Sequence, residues 1–491
     1  LKSSILLLAL GLWLAACSAS EQATALDRLR PCATVDGPTD AYCGTFTVFE
    51  NRATRQGRTL DLKVIVLPAL SNEPKPDPLF FLAGGPGQGA AGLARPLREM
   101  FRRVQADRDL VLVDQRGTGK SHPLDCKSDD ESLAALNEPV ETTMARLRKC
   151  LEGLDADLTQ YTTSIAMDDL NDVREYLHYN KINLYGGSYG TRAALVYLRQ
   201  HQPTVRSVII DGVAPPDMRL PLFMARDGQR ALDRLFADCE ADESCRTKHP
   251  HLGQGLRTLV AELEKSPVKT RLTHPRTGIA EDVEVRGEFV VNVIFSALYS
   301  PLVSSLLPEL IARAERRDFQ GLLALASMSE GAGDNMAVGM QLSVICAEDF
   351  PRITAEQMAR ETTGTVFADH LLRARIRACE FWPKAKVEAS YYEPVTSEIP
   401  VLVMSGELDP VTPPSWGESV LPRFPHSKHI VVPGTGHGTI STGCGMRIVQ
   451  SFLNSGAVEG LDTSCVQAMK RPPFFLTPAG PDPAGIKATS Q

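Results

Sequence analysis

"INLYGGSYGTRAALVYLRQHQP", Ile182 to Pro203, reads as a strand, a sharp turn and a helix. The apolar start is strand-like, and the run after the glycines has a helical pattern stopped by Pro203. Between them, Gly186-Gly187-Ser188-Tyr189-Gly190 fits G-x-S-x-G in the context that gives the pattern meaning, a strand before it and a helix after it. Gly186 and Gly190 let the strand and helix backbones pass closely, and Ser188 is left strained and exposed between them. A helix starting at Tyr189 points the positive end of its dipole at any negative charge that develops there. The small Ala193 and Ala194 let that helix lie close to a sheet. A glycine-rich turn with an idle serine is the plainer alternative, and the strand–helix context argues against it.

Similar apolar runs surround this one. "TFTVF" and "LDLKVIVLP" predict an antiparallel start. "PLFFLAGG", "DLVLVDQRG" and "VRSVIIDG" predict strands buried on both faces, and "SIAMDDLNDVREYLHYN" predicts a helix ahead of the Ile182 strand. Alternating strands and helices imply a mostly parallel α/β sheet. From about Pro215 to Pro394 long helical stretches take over, such as "RALDRLFADC" and "VSSLLPELIARAERR". Strands then return in "IPVLVMSGELDP" and "KHIVVPGTGHG". The simplest organisation is one α/β sheet built from residues 32–215 and 396–470, interrupted by a large, mainly helical cap over 216–395. A Pro-rich tail, expected to be irregular, covers 471–491.

A serine nucleophile needs a base, and the base needs an orienting acid. The returning strands supply both, in the order Ser, acid, His. Asp409 follows the strand "VLVMSGELDP", and His437 follows "IVVPGTGHG" between glycines that let its ring reach inward. His426 and His429 flank the start of that strand and read as surface residues. Asp211, after "VIIDG", and Glu407 are rival acids. Two N–H donors should stabilise an oxyanion. One is that of Tyr189. The other is expected in the loop Gly84-Gly85-Pro86-Gly87-Gln88-Gly89, with Gly85 the best single donor.

Two nucleotide-like patterns compete with this reading. "DQRGTGKS" ends like a phosphate-binding loop, yet Asp114 stands where that loop begins with glycine, and a carboxylate there would face the phosphates. Gly87 to Gly92 fits G-x-G-x-x-G, but its glycines begin after Pro86 rather than at the end of the strand. Neither supports a nucleotide. The 491 residues carry a net charge of −7 without a basic cluster, so nucleic acid is not an expected partner either.

Lys2 precedes the apolar "ILLLALGLWLAAC", which is too short for a comfortable membrane span and shaped like a secretory signal. Leu14-Ala15-Ala16-Cys17 resembles the lipobox of bacterial lipoproteins. That resemblance implies a signal over 1–17, lipidation of Cys17, and a membrane-anchored protein facing the periplasm, with outer-membrane placement because Ser18 rather than aspartate follows. Ordinary cleavage nearby is the alternative. Of eleven cysteines, Cys17 leaves ten, an even number suited to an oxidising compartment. Chain order suggests local pairs: Cys32 with Cys43, Cys126 with Cys150, Cys239 with Cys245, Cys346 with Cys379, and Cys444 with Cys465. The spacings lack the pattern of a zinc site.

"GGPGQG", "DQRGTGKS", "GGSYGT", "GELDPVTP" and "GTGHG" together resemble the α/β-hydrolases of the prolyl iminopeptidase and tripeptidyl aminopeptidase type, over about residues 40–470. The C-terminal region resembles the tripeptidyl branch. Ala83 stands where many iminopeptidases have histidine before Gly-Gly-Pro-Gly, which leans the same way. The resemblance implies an α/β-hydrolase fold and an exported serine aminopeptidase acting on peptides with a free N-terminus, with Ser188, His437 and Asp409 as its triad and no metal or organic cofactor. It makes "DQRGTGKS" an architectural loop, with Asp114 and Arg116 expected to form an ion pair and Lys120-Ser121 incidental. It also implies carboxylates that bind the substrate amine. Glu348 and Asp349 in "VICAEDF" are the candidates, and a solvated acidic pair is the plain alternative. A carboxylesterase on the same fold, or a non-catalytic binding lipoprotein, are the competing functions.

Overall fold

The computed structural model describes residues 25–34, 40–126, 132–133, 138–333, 336–477 and 480–481. The expected signal, Cys17 and the last ten residues of the tail lie outside them.

Nine strands form one sheet. In chain order they are β1 (Arg30–Cys32), β2 (Ala41–Phe49), β3 (Thr59–Leu67), β4 (Leu79–Leu82), β5 (Leu110–Val113), β6 (Ile182–Gly187), β7 (Val205–Asp211) and, after the cap, β10 (Val401–Gly406) and β11 (Ser427–Val432). Their order in space is β1-β2-β3-β5-β4-β6-β7-β10-β11. β1, β2 and β3 run antiparallel, β3 meets β5 antiparallel, and every pair from β5 to β11 is parallel. All residues of β4, β5 and β10 are buried, as expected of strands covered on both faces. Helices α1 (Thr163–Tyr176) and α2 (Tyr189–His201) flank β6 in the chain and pack on each other.

The cap carries helix α3 (Met224–Ala241), helix α4 (Gly287–Leu298) and helix α5 (His370–Phe381), which gather with their neighbours into a second apolar core. Within it, β8 (Val268–Thr273) and β9 (Ala280–Val285) form an antiparallel hairpin that the helical reading of this region missed. The alternation in "VKTRLT", followed by the turn residues of "HPRTG", was its signal. The described part of the tail packs against the cap, with Phe474 and Leu476 buried and the N–H of Phe475 donating to the carbonyl of Ser305. Among the described residues, no helix is long and apolar enough to cross a membrane.

Among the described residues, five disulfides join the pairs suggested by chain order.

Parallel register brings the ends of the central strands to one edge. Gly187 lies beside Asp211, Asp211 beside Met404, and Gly406 beside Val432. The loops that leave these strands therefore converge, as ligand sites of open α/β sheets do.

Candidate active site

Ser188 sits at the turn between β6 and α2 with φ 56° and ψ −125°, a strained conformation for a residue other than glycine. Its N–H donates to the carbonyl of Asp211 at 2.9 Å. The glycines on either side have a steric reason. A Cβ on Gly186 would collide with the carbonyl oxygen of Gly190, and one on Gly190 with that of Leu82.

His437 and Asp409 come from the loops after β11 and β10. Nδ1 of His437 lies 2.8 Å from Oδ2 of Asp409. Asp409 is fully buried, and Oδ1 accepts from the backbone N–H groups of Val411 and Thr412. Thr412 Oγ1 donates to Oδ2 at 2.8 Å and lies 3.1 Å from His437 Nδ1. Burial opposes charge on His437, but Asp409, by charge and hydrogen bond, raises its pKa above the ordinary value. Burial likewise opposes ionisation of Asp409, yet His437 and the N–H donors hold its carboxyl below the ordinary range.

The rival acids are engaged elsewhere. Asp211 accepts from Tyr185 Oη, from Thr439 N and Oγ1, and from Ile440 N. Glu407 accepts from Gly434 N and pairs with Arg234. A Cβ on Gly212, the residue after Asp211, would stand 3.3 Å from the His437 ring, so the end of β7 touches Ser188 through one residue and His437 through the next.

Of the expected oxyanion donors, Tyr189 adjoins the serine in the chain, and the Gly85 loop reaches it through Gly84. Tyr189 is the first residue of α2, so its N–H has no carbonyl a turn earlier to bond. Gly84 lies against Ser188, since a Cβ there would be 3.3 Å from the serine Cβ. Gly85 follows with φ +113°, open to glycine alone. The cap holds this loop through Ala337, whose N–H donates to the carbonyl of Gly87.

Tyr299, at the end of α4, reaches the site from the cap and was not foreseen. Its carbonyl accepts from the N–H of His437 at 2.9 Å, and its ring packs edge-on against the imidazole. No local pattern marks it. Tyr299 also lines a cavity of about 750 Å³ between α4 and α5, with Phe295, Ser296, Leu371 and Arg375 among its walls.

Three expectations need correction. Glu348 and Asp349 do not form an open anionic pair. Both are fully buried in a π-helical turn, Ile345–Asp349, with the equally buried Arg192 of α2 against them, 2.9 Å from Asp349 and 3.6 Å from Glu348. Glu348 also accepts from Thr163 N and Oγ1 and from Tyr391 Oη. Thr163 Oγ1 bonds in turn to Tyr189 Oη, so this cluster braces the residue expected to supply one oxyanion N–H. A guanidinium already stands where a substrate ammonium would have to go. Burial pushes both carboxyl groups up in pKa, and Arg192 is the main force opposing it.

Asp114 and Arg116 do not pair with each other. Arg116 is fully buried and forms a two-pronged pair with Asp169 of α1 at 2.6 and 2.9 Å, while also donating to the carbonyls of Glu50 and Gln160. Asp114 accepts instead from the N–H groups of Ala91 and Lys120, tying its own loop to the one after β4. Ser121 is not incidental either. It accepts from Lys63 N and donates to the carbonyl of Asp114. The Asp114 carboxylate fills the hollow of the Gly119-Lys120-Ser121 turn, where a phosphate-binding loop would hold its ligand, and a Cβ on Gly119 would collide with it.

The family described as alpha/beta hydrolase fold matches residues 77–247, and that described as TAP-like protein matches residues 364–465. The chain belongs to the α/β-hydrolases. Serine protease Hip1 of Mycobacterium tuberculosis is 24% identical to this α/β-hydrolase over 465 residues, covering 87% of the chain and 88% of that protein. Proline iminopeptidase of Neisseria gonorrhoeae is 29% identical over 147 residues, 29% of the chain and 34% of that protein. Among solved structures, proline iminopeptidase of Mycobacterium smegmatis aligns with a TM-score of 0.36 at 16% identity, covering 84% of this chain and 98% of that one. This α/β-hydrolase is an enzyme of the serine hydrolase class, with relatives named as peptidases.

Proposed function

We propose that the protein is an exported serine aminopeptidase, releasing short N-terminal peptides or single residues through an acyl-enzyme. Ser188 attacks the scissile carbonyl. His437 takes the serine proton and passes it to the leaving amine, and Asp409 holds the imidazole in the tautomer that makes this possible. The N–H groups of Tyr189 and Gly85 stabilise the oxyanion. The observation that carries this reading is the contact between His437 Nδ1 and Asp409 Oδ2, in loops that converge on the strained Ser188. Relatives named serine protease and proline iminopeptidase favour a peptide substrate over a simple ester. Ten cysteines paired in five bridges favour an oxidising compartment, and Cys17 is the proposed lipid anchor facing the periplasm.

A fluorophosphonate probe should label Ser188 and nothing else, and Ser188→Ala should remove peptide hydrolysis by several orders of magnitude in a folded protein. Labelling at another residue, or a fully active alanine variant, rejects the assignment. N-acetylated peptides should be poorer substrates than their free-amine counterparts; equal turnover of both, with esters faster than either, returns the carboxylesterase reading.

A further inference from the structure

The cavity beside Tyr299 has a charge arrangement that the triad does not explain. Helix α4 is strongly apolar, "GEFVVNVIFSAL", yet Glu288, Asn292 and Ser296 recur every four residues and line the cavity. Glu288 and Tyr299 are separated by about 16 Å along the helix axis, given the rise per residue. The cavity thus has a far end at Glu288 and a near end at the His437 ring. The opposite wall is α5. Its His370 stands 3.2 Å from Glu264, which also abuts Gly287 at the start of α4, so His370 belongs to the far end. Arg375 follows five residues later and faces Tyr299 at the near end.

Arg375 is half-buried in the cavity wall and differs from the fully buried arginines in its partners. Arg108, Arg116 and Arg192 each have a carboxylate within 3.0 Å. Among the described residues, Arg375 has none within ion-pair distance, and its one hydrogen bond runs from Nη1 to the carbonyl of Leu371 in its own helix. Glu138, in the same cavity, is held by Arg146 at 2.7 Å and by Thr143. Desolvation in the cavity wall works against the guanidinium charge and lowers its pKa, with Tyr299 opposing the shift. Arginine stays protonated in such a place, and its charge faces the cavity with donors free for an anionic ligand.

We propose that Arg375 binds a carboxylate of the substrate beside the scissile bond, which makes the enzyme selective for anionic peptides. The proposal rests on the serine hydrolase reading for where the scissile bond lies. A guanidinium with one N–H tied to Leu371 keeps further donors for a carboxylate, in the planar fork that suits that group. The carboxylate is either an Asp or Glu side chain next to the cleaved bond or the C-terminus of a short peptide.

Calorimetric titration of the Ser188→Ala protein separates these sources and needs no turnover. The probes are tetra-alanine as free acid and as amide, and tetra-alanine amides carrying Glu or Gln at one position at a time. Binding should favour the carboxylate member of one pair by about tenfold or more, as expected for a charge-assisted hydrogen bond. A preference in the Glu/Gln series assigns a side chain, and one in the acid/amide pair assigns the C-terminus. Adding Arg375→Met should bring that pair to near-equal affinity, while Arg375→Lys should keep part of the preference. Equal binding of every pair, or a preference that survives Arg375→Met, overturns the proposal. Fluorophosphonate labelling of the wild-type enzyme is scored separately, so loss of the triad assignment is not mistaken for loss of the anion site.

Discussion

Nδ1 of His437 and Oδ2 of Asp409 stand 2.8 Å apart, and the acid is wholly removed from solvent while it raises the pKa of the base. In the proposed mechanism His437 must be neutral to accept the serine proton. Activity is therefore lost as pH falls through the His437 pKa, and because that pKa is raised, the acid limb of kcat/KM should lie above the ordinary histidine value of about 6.5. Asp409→Asn should move the limb down and lower kcat by roughly 10³–10⁴-fold. A limb that stays in place in the asparagine variant would show that the titrating group is not His437.

Thr412 touches both partners of this pair through one hydroxyl. Thr412→Val keeps the shape and removes the bond to Asp409. It should cost about tenfold in kcat/KM, the worth of a single hydrogen bond, with melting temperature little changed. Steady-state kinetics beside a thermal melt checks this. A stability loss with unchanged kinetics would make the threonine a packing residue only.

The Arg192 cluster carries a different expectation. Arg192→Met leaves two buried carboxyl groups without their cation and should destabilise the fold by about 3–5 kcal/mol, read from urea denaturation. Glu348→Gln should weaken peptide and ester hydrolysis alike, through Thr163 and Tyr189. A selective loss on free-amine peptides alone would restore the amine-anchor role that the buried guanidinium argues against.

The ten cysteines from Cys32 to Cys465 should show no reaction with a thiol reagent in the unfolded, unreduced protein. Alkylation and mass spectrometry before and after reduction measure it. Two or more labelled residues among the ten would contradict the five bridges.

Ser188, Asp409 and His437 could be picked out in the sequence as the proposed triad because each follows an apolar strand within a glycine-marked loop. Parallel strands place such loops together whatever lies between them in the chain. The disulfides could be read because each closes a short local loop. What failed was whatever depended on which distant group fills a given space. "VICAEDF" shows two charges but not that Arg192, more than 150 positions earlier, lies against them. Arg116 is two residues from Asp114, yet its fork is matched by Asp169 on another element. Tyr299 and Arg375 are set by the packing of cap helices, which leaves no spacing rule to find. The hairpin of β8 and β9 did have a local signal, but the helical stretches around it dominated the reading.

Among the described residues, two backbone hydrogen bonds join the cap to the loops of the candidate site, one from His437 N–H to Tyr299 and one from Ala337 N–H to Gly87. They make the cap a poor module for exchange. A chimera that grafts a foreign cap onto this sheet has to reproduce an acceptor at the first position and a donor at the second before its new pocket can be judged. Without them the graft alters the base and the oxyanion loop together, and a change in turnover would be misread as a change in specificity.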